Sequence, residues 1–200
     1  MSDLESLTAE VRQCTKCPLH LGRTRSVPGE GAEHAQIMFI GEAPGFHEDQ
    51  QGRPFVGAAG RFLDELLTSV NLRREDVYIA NVIKCRPPSN RDPLQEEIEA
   101  CKAHLDRQIE LIQPKIIVTL GRFSMARAFP NARISRIHGT PRKVDGIIYY
   151  PMYHPAAALH QPSLRKVVQD DMKRIPELLD GAAAIAETEV DSNVQQLTLF

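Results

Sequence analysis

Three separated stretches of the chain carry polar side chains able to act on a ligand. The first, residues 41–57, contains the carboxylates of Glu42 and Glu48 in a segment rich in glycine and proline. Asn81 and His154 each follow an apolar run farther along the chain. Carboxylates can act as bases, while an amide and a histidine can pair with the edges of a ligand. Residues 41–57 are therefore the active-site candidate.

The four cysteines form a pattern that predicts a metal site. Cys14 and Cys17 are a C-x2-C pair in a loop beside Pro18, and fifteen residues separate Cys85 from Cys101. One close pair and two distant thiolates can ligate a zinc ion or a [4Fe–4S] cluster, and the pattern does not separate the two. The alternative is a set of ordinary buried thiols, which accounts better for Cys101 than for the loop pair.

Strands and helices alternate along the chain. Strands are predicted at residues 36–41, 77–82 and 115–120, and in a hairpin over 144–152 that turns at Asp145-Gly146. Helices are predicted at residues 58–70, 94–112, 122–128 and 163–180, and a loop at 134–141. This alternation predicts a single-domain three-layer α/β/α sandwich around a mostly parallel, four-stranded sheet.

The proposed active-site residues follow three of these strands. Parallel strands place their carboxyl ends at one edge of the sheet, where open α/β folds bind ligands. We therefore expect Gly41-Glu42, Asn81 and His154 to converge there. Four glycines and two prolines argue against a simple helix across residues 41–57.

The composition excludes several classes of protein. Two hundred residues, 42% of them hydrophobic, suit one globular domain, and no apolar run approaches the roughly 20 residues of a membrane helix. The N-terminus lacks the pattern of a signal peptide, so we expect a cytoplasmic protein with reduced cysteines. We also expect a monomer. A net charge of −2 gives no sign of nucleic-acid binding, although a local basic face binds phosphate whatever the total.

The last twenty residues differ from the rest. Residues 1–180 form the predicted domain, and residues 181–200 an expected flexible, acidic tail that ends in QLTLF. This ending resembles the short peptide by which bacterial repair and replication proteins bind the β sliding clamp. The residues expected to bind the partner are Gln196, Leu197, Leu199 and Phe200. The alternative is a tail that packs back on its own domain as an edge strand.

The motifs, taken in order, resemble those of the family 4 uracil-DNA glycosylases, the iron–sulfur branch of that superfamily. They are CTKC at 14–17, GEAPG at 41–45, ED at 48–49, GRPFVG at 52–57, NVIKCRPP at 81–88, Cys101, and HPAA at 154–157. Relatives with GEAPA belong to family 5, and Gly45 favours family 4. The resemblance implies a uracil-DNA glycosylase-like fold, removal of uracil from single- and double-stranded DNA, and a structural [4Fe–4S] cluster on the four cysteines.

The resemblance also implies a uracil pocket. Phe55 supplies an aromatic face, Asn81 pairs with uracil O4 and N3–H, and His154 donates to O2 as charge develops on the leaving base. The backbone of Gly41, Glu42 and Ala43 lies against the same base.

The carboxylate that orients the water is the least secure assignment. The best-known uracil glycosylases have an aspartate where this chain has Ala43, so a neighbouring carboxylate must replace it. Glu42 is the first choice. Glu48 either assists it or blocks the 5-methyl group of thymine.

DNA contacts are expected from loops at the same edge. Arg86 and Arg91 are candidates for phosphate contacts, and Leu159 for a wedge that fills the vacated stack. The alternative for Leu159 is a place in a helix core. Two other functions remain open: a non-catalytic DNA-damage or clamp-recruited binding module, and a zinc-bound α/β hydrolase.

Overall fold

A six-stranded sheet forms the centre of the computed structural model, which describes residues 2–181. The strands are β1 (Glu30–Gly31), β2 (Ile37–Gly41), β3 (Tyr78–Asn81), β4 (Ile116–Leu120), β5 (Arg142–Val144) and β6 (Ile147–Met152). The helices are α1 (Asp3–Gln13), α2 (Phe46–Gln51), α3 (Ala58–Ser69), α4 (Gln95–Ile112), α5 (Arg122–Met125), α6 (Ile134–Ile137), α7 (Pro155–His160), α8 (Ser163–Lys173) and α9 (Ile175–Asp180). The predicted clamp-binding peptide lies outside the described residues.

Among the described residues, the sheet order is β1-β3-β2-β4-β6-β5. The four inner strands are parallel, and β1 and β5 add antiparallel edges. The predicted parallel sheet is confirmed for the inner strands, but the predicted strand count was too low. β5 is the outer strand of the predicted hairpin, whose turn has φ of 50° at Asp145 and 79° at Gly146. β1 has only two residues, so no alternating apolar pattern predicts it.

Alternate side chains of β2 enter two separate hydrophobic cores. Met38 and Ile40 pack in the core that includes residues of α1 and α4. Ile37 and Phe39 pack in the core that includes residues of α3 and α8. Each fully buried aliphatic or aromatic side chain contributes about 1.5–3 kcal/mol. The predicted three-layer α/β/α sandwich is confirmed, because helices cover both faces of the sheet.

Two helical predictions were wrong in detail, and one short helix was not predicted. Residues 41–57 contain α2, because the Glu48 carboxylate accepts a hydrogen bond from Gly45 N at 3.1 Å and starts a short helix. The segment predicted as a loop over 134–141 contains α6. The last helix divides into α8 and α9 at Arg174, since Pro176 cannot donate a hydrogen bond to the preceding turn.

The carboxyl ends of the inner strands meet at one edge, as predicted. Gly41 pairs with Asn81 across β2 and β3, and Leu120 pairs with Met152 across β4 and β6. His154 follows two residues after β6. Within residues 2–181, no helix has the length and apolar character needed to cross a bilayer.

Candidate active site

A pocket opens at this edge, between the loops that follow β2, β3 and β6. Six of the predicted catalytic and uracil-binding residues line it: Glu42, Ala43, Glu48, Phe55, Asn81 and His154. They come from three distant stretches of the chain, and the parallel topology brings them together. The pocket is therefore where the polar groups and aromatic faces of the site meet.

Asn81 presents an unsatisfied acceptor in this pocket. Its side chain is 2% exposed, and its Oδ1 atom has no hydrogen-bond partner. A buried polar atom without a partner costs about 1–3 kcal/mol, so a ligand that donates to Asn81 Oδ1 would remove that cost. Gly41 makes this arrangement possible, because a Cβ there would lie 2.4 Å from Asn81 Oδ1 and 2.6 Å from Phe55 Cζ.

Phe55 forms an aromatic wall of the pocket. Its backbone has a φ of 52°, an unusual conformation for a bulky residue that costs of order 1–3 kcal/mol. Arg74 holds it there by donating to the carbonyl oxygens of Pro54 and Phe55. On the other side, α3 approaches so closely that a Cβ at Gly60 would lie 1.8 Å from Phe55 O. The ring position is therefore fixed before any ligand arrives.

His154 is a neutral hydrogen-bond donor in this pocket. Its Nδ1 atom accepts a hydrogen bond from Ala156 N at 3.1 Å, so its proton resides on Nε2. Burial lowers the pKa of His154 to about 4, although the Glu48 carboxylate opposes that shift. The imidazole stacks against Phe55 with ring centroids 5.5 Å apart. The side chain is thus held rigidly, with a single N–H to offer.

The Glu48 carboxylate holds residues 45–57 together through hydrogen bonds to their backbone. One carboxylate oxygen accepts from Val56 N at 2.9 Å and Gly57 N at 3.0 Å, and the other accepts from Gly45 N at 3.1 Å. These bonds join the first turn of α2 to the segment that carries Phe55. Because both oxygens are engaged, this geometry favours a positioning role over orientation of a water.

Glu42 is the carboxylate with a perturbed titration. Its half-buried position raises its pKa above the ordinary 4.5, with a further contribution from Asp92, while Arg122 opposes the shift. Ala43 lines the pocket beside it and offers no ionisable group. A partly desolvated carboxylate at a pocket wall is well suited to act as a base.

The four cysteines lie around a second pocket. Cys14, Cys17, Cys85 and Cys101 all line it. Three nitrogen atoms contact the sulfurs: Arg23 Nη1 donates to Cys85 at 3.1 Å, Lys84 N donates to Cys101 at 3.3 Å, and His104 Nε2 lies 3.2 Å from Cys14. Such contacts stabilise thiolates, which suits a thiolate-ligated metal group. In residues 2–181, no group of three or more His, Cys, Asp or Glu side chains is arranged to hold a metal ion.

The predicted DNA contacts differ in their surroundings. Arg91 lines the active-site pocket but forms a bidentate ion pair with Glu97, with N–O distances of 2.6 and 2.9 Å. Arg86 instead donates from Nε to Asn90 Oδ1 at 2.7 Å, so its bonded partner is neutral. Leu159, on α7, is 41% exposed. That exposure is unlike a core position and leaves the wedge prediction open.

Sequence reasoning missed Lys84, which connects the two pockets. The side chain is 1% exposed, and Nζ donates to Asn81 O at 2.9 Å and to Gln108 Oε1 at 2.6 Å. The available signal was the position of this lysine between an apolar run and a predicted metal ligand. The signal is weak because lysines are almost never fully buried, so a sequence gives little reason to expect one in a core.

Comparison with known proteins gives consistent matches. A family model described as the uracil DNA glycosylase superfamily matches residues 28–175. The chain is similar to a type-4 uracil-DNA glycosylase of Sulfurisphaera tokodaii, with 50% identity over 89% of this chain and 86% of that protein. A type-4 uracil-DNA glycosylase of Archaeoglobus fulgidus is 49% identical over 89% of this chain and 94% of its own length. One from Thermotoga maritima is 45% identical over 86% and 92%.

Proposed function

The chain belongs to the uracil DNA glycosylase superfamily, and on that premise we propose that it removes uracil from DNA. The reaction hydrolyses the N-glycosidic bond and leaves an abasic site. One observation carries the proposal: Asn81, whose buried Oδ1 atom has no hydrogen-bond partner, lines a pocket that also holds a neutral histidine donor.

Asn81 and Phe55 recognise the base after it leaves the helical stack. Asn81 Oδ1 accepts from uracil N3–H, and its amide nitrogen donates to O4. Cytosine presents the reverse pattern on this edge, so its entry leaves buried groups unsatisfied at a cost of about 1–3 kcal/mol each. The Phe55 ring offers a face for stacking, and its fixed conformation reduces the ordering cost of binding.

His154 stabilises the leaving group. As the bond between C1′ and N1 breaks, the electron pair goes to the base and spreads onto O2 and O4. The Nε2–H of His154 donates to O2 and strengthens its hydrogen bond as that charge develops. With a pKa near 4, the imidazole acts as a neutral donor at physiological pH.

Glu42 orients the water that attacks C1′. The attack forms a C–O bond to a sugar of oxocarbenium character, and the water gives up a proton to the carboxylate. The raised pKa and half-buried position of Glu42 support this assignment. Glu48 holds the loop around Phe55 and contributes its charge to the pocket wall, where it also restricts the space beside the base.

The test uses duplex and single-stranded DNA that carry one uracil. After incubation with the purified protein, alkali cleaves any abasic site, and we expect cleavage at the uracil position only. His154→Ala is the control that should be inactive. His34→Ala, the same change at an exposed position, is the matched control and should stay active. A protein that binds this DNA but releases no uracil would be a non-catalytic binding module instead.

We further propose that Cys14, Cys17, Cys85 and Cys101 hold a [4Fe–4S] cluster. The four thiols line one pocket, and nitrogen atoms of Arg23, Lys84 and His104 lie beside three of the sulfurs. The chemistry of these residues suits the group, although their spacing in the described residues does not form a metal site. The resemblance of the cysteine motifs to family 4 favours iron–sulfur over zinc. When bound, the group cross-links the segment after α1, the loop after β3 and helix α4, and so stabilises the loop next to Asn81.

Iron and sulfide analysis of protein purified without air tests this assignment. We expect about four of each per chain, a broad visible absorption band, and loss of both in Cys101→Ser. Protein that contains zinc and no iron would favour the zinc-site alternative.

DNA binding and recruitment complete the proposal. Arg86 contacts a phosphate, Arg91 stays near the pocket entrance as a second candidate, and Leu159 enters the vacated stack.

Residues 196–200 bind the β sliding clamp, a hypothesis that depends on the sequence alone. Deletion of residues 195–200 should abolish co-elution with the clamp and spare uracil release on short duplexes. Retained co-elution would contradict it.

A further inference from the structure

An exposed phenylalanine lies beside the entrance of the active-site pocket. Phe46 is the first residue of α2 and directly follows Gly45, which lines that pocket. The side chain is 51% exposed. The other large hydrophobic side chains that are exposed in residues 2–181 are all leucines. Exposed aromatic rings beside a nucleic-acid site are typical stacking platforms for bases.

The guanidinium group of Arg86 covers part of this ring. Its central carbon lies 5.1 Å from the Phe46 ring centroid, within the range of a cation–π contact. Arg86 directly precedes Pro87, which lines the pocket. Two loops, one after β2 and one after β3, therefore meet in this pair at the pocket entrance.

Asn90 fixes the orientation of Arg86. Its Oδ1 atom accepts from Arg86 Nε at 2.7 Å. Ser89 and Asn90 both have a φ of 53°, a left-handed conformation that few side chains adopt without a structural reason. In this conformation the Asn90 amide oxygen accepts the hydrogen bond from the arginine.

The charge of Arg86 remains available. Within the described part of the chain, Arg86 forms no ion pair, whereas its neighbour Arg91 is paired with Glu97 at 2.6 Å. An arginine that is held in place but not neutralised can bind a phosphate with its remaining N–H groups. The pair thus offers an aromatic surface and a positive charge side by side.

We propose that Phe46 and Arg86 form a nucleotide subsite that binds the nucleotide adjacent to uracil on the same strand. Its base stacks on Phe46, and its phosphate contacts Arg86. This inference rests on the proposed function, because extrusion of uracil removes a stacking partner from its neighbour. The same strand is favoured because Gly45 and Pro87 line the uracil pocket itself, one residue away from each member of the pair.

Kinetics on a single-stranded oligonucleotide with one uracil provide the first test. Loss of the aromatic ring in Phe46→Ala should raise KM about tenfold. Phe46→Tyr keeps an aromatic ring and should have the wild-type KM. Leu21→Ala, which removes another exposed apolar side chain far along the sequence, is the matched control. Inhibition by free uracil should be unchanged in Phe46→Ala, since the pocket itself is intact.

Fluorescence provides a second test that needs no turnover. A single-stranded oligonucleotide carries 2-aminopurine directly 5′ or 3′ of the uracil. We expect the wild-type protein to quench one of the two positions, and Phe46→Ala to lose that quenching. Because this measurement does not require cleavage, it stays informative even if the protein releases no uracil.

Two results would overturn the subsite. One is that Phe46→Ala has the same KM and the same quenching as the wild type on single-stranded DNA. The other is an effect confined to duplex DNA, which would assign Phe46 to the opposite strand. Arg86→Gln should also reduce the slope of log affinity against log salt by roughly one phosphate contact, about 0.7 on a single strand. An unchanged slope would remove Arg86 from the proposal.

Discussion

The ammonium group of Lys84 donates a hydrogen bond to the backbone oxygen of Asn81 at 2.9 Å, in a fully buried site. Its second acceptor is Gln108 Oε1 at 2.6 Å, and Gln108 Nε2 in turn donates to Pro28 O and to Tyr78 Oη. Lys84 therefore connects the strand end that carries Asn81 with helix α4. A buried network of this kind specifies one backbone arrangement when every member has a partner.

Gln108→Leu should destabilise the protein by about 1–3 kcal/mol, because it leaves the buried ammonium group short of one acceptor. Urea unfolding of the holoprotein measures this change. Gln161→Leu, at an exposed position, is the matched control and should unfold as the wild type does. An unfolding curve of Gln108→Leu that overlays the wild-type curve would show that the network adds nothing to stability.

Gly41→Ala should remove most of the activity while Gly22→Ala leaves it intact. A Cβ at position 41 would lie 2.4 Å from Asn81 Oδ1, whereas one at position 22 would have no atom within 4 Å. Displacement of a recognition group by about 1 Å costs on the order of 100-fold in rate. Steady-state kinetics on a uracil-containing duplex make the comparison, and equal kcat/KM values for the two variants would contradict it.

The convergence of the site was predictable from the sequence, since it depends only on parallel strands and their ends. Glu42, Asn81 and His154 each follow an apolar run, and parallel pairing places those ends together. Neither the twist of the loop nor the contacts of each side chain can be derived from such a pattern.

Helix α2 and Lys84 illustrate what the pattern could not provide. The glycines and prolines of residues 41–57 argue against a helix, yet the Gly45-to-Glu48 spacing allows a carboxylate to start one. Val56 N and Gly57 N donate to the other oxygen of the same carboxylate, and no local pattern predicts that contact. Burial of Lys84 likewise depends on a distant partner, Gln108, which no local signal connects to it.

The pH dependence of the reaction should identify the base. The pKa of Glu42 is raised, so the active carboxylate is lost as pH falls through a value above 4.5. Asp92→Asn removes a charge that raises this pKa, and the acidic limb of kcat/KM should move to lower pH. Glu42→Gln should lower kcat/KM by about 100-fold or more and abolish that limb. An unchanged acidic limb in Glu42→Gln would exclude Glu42 as the base.

Asn81→Asp should change the choice of base. The acceptor Oδ1 of Asn81 matches uracil N3–H, and the amide nitrogen matches O4. At a buried position the aspartic acid is favoured in its neutral form, because desolvation disfavours the charge. Its O–H then donates to cytosine N3, and its carbonyl oxygen accepts from cytosine N4–H₂. We therefore expect cytosine release to appear while uracil release falls.

Duplexes with a single uracil or a single cytosine, followed by alkaline cleavage, measure both activities of Asn81→Asp. Asn71→Asp makes the same chemical change at an exposed position and should keep the wild-type preference. Because the neutral acid is the form that pairs with cytosine, cytosine release should also increase as pH falls. A variant that loses uracil release and gains no cytosine release at any pH would show that this amide does not select the base.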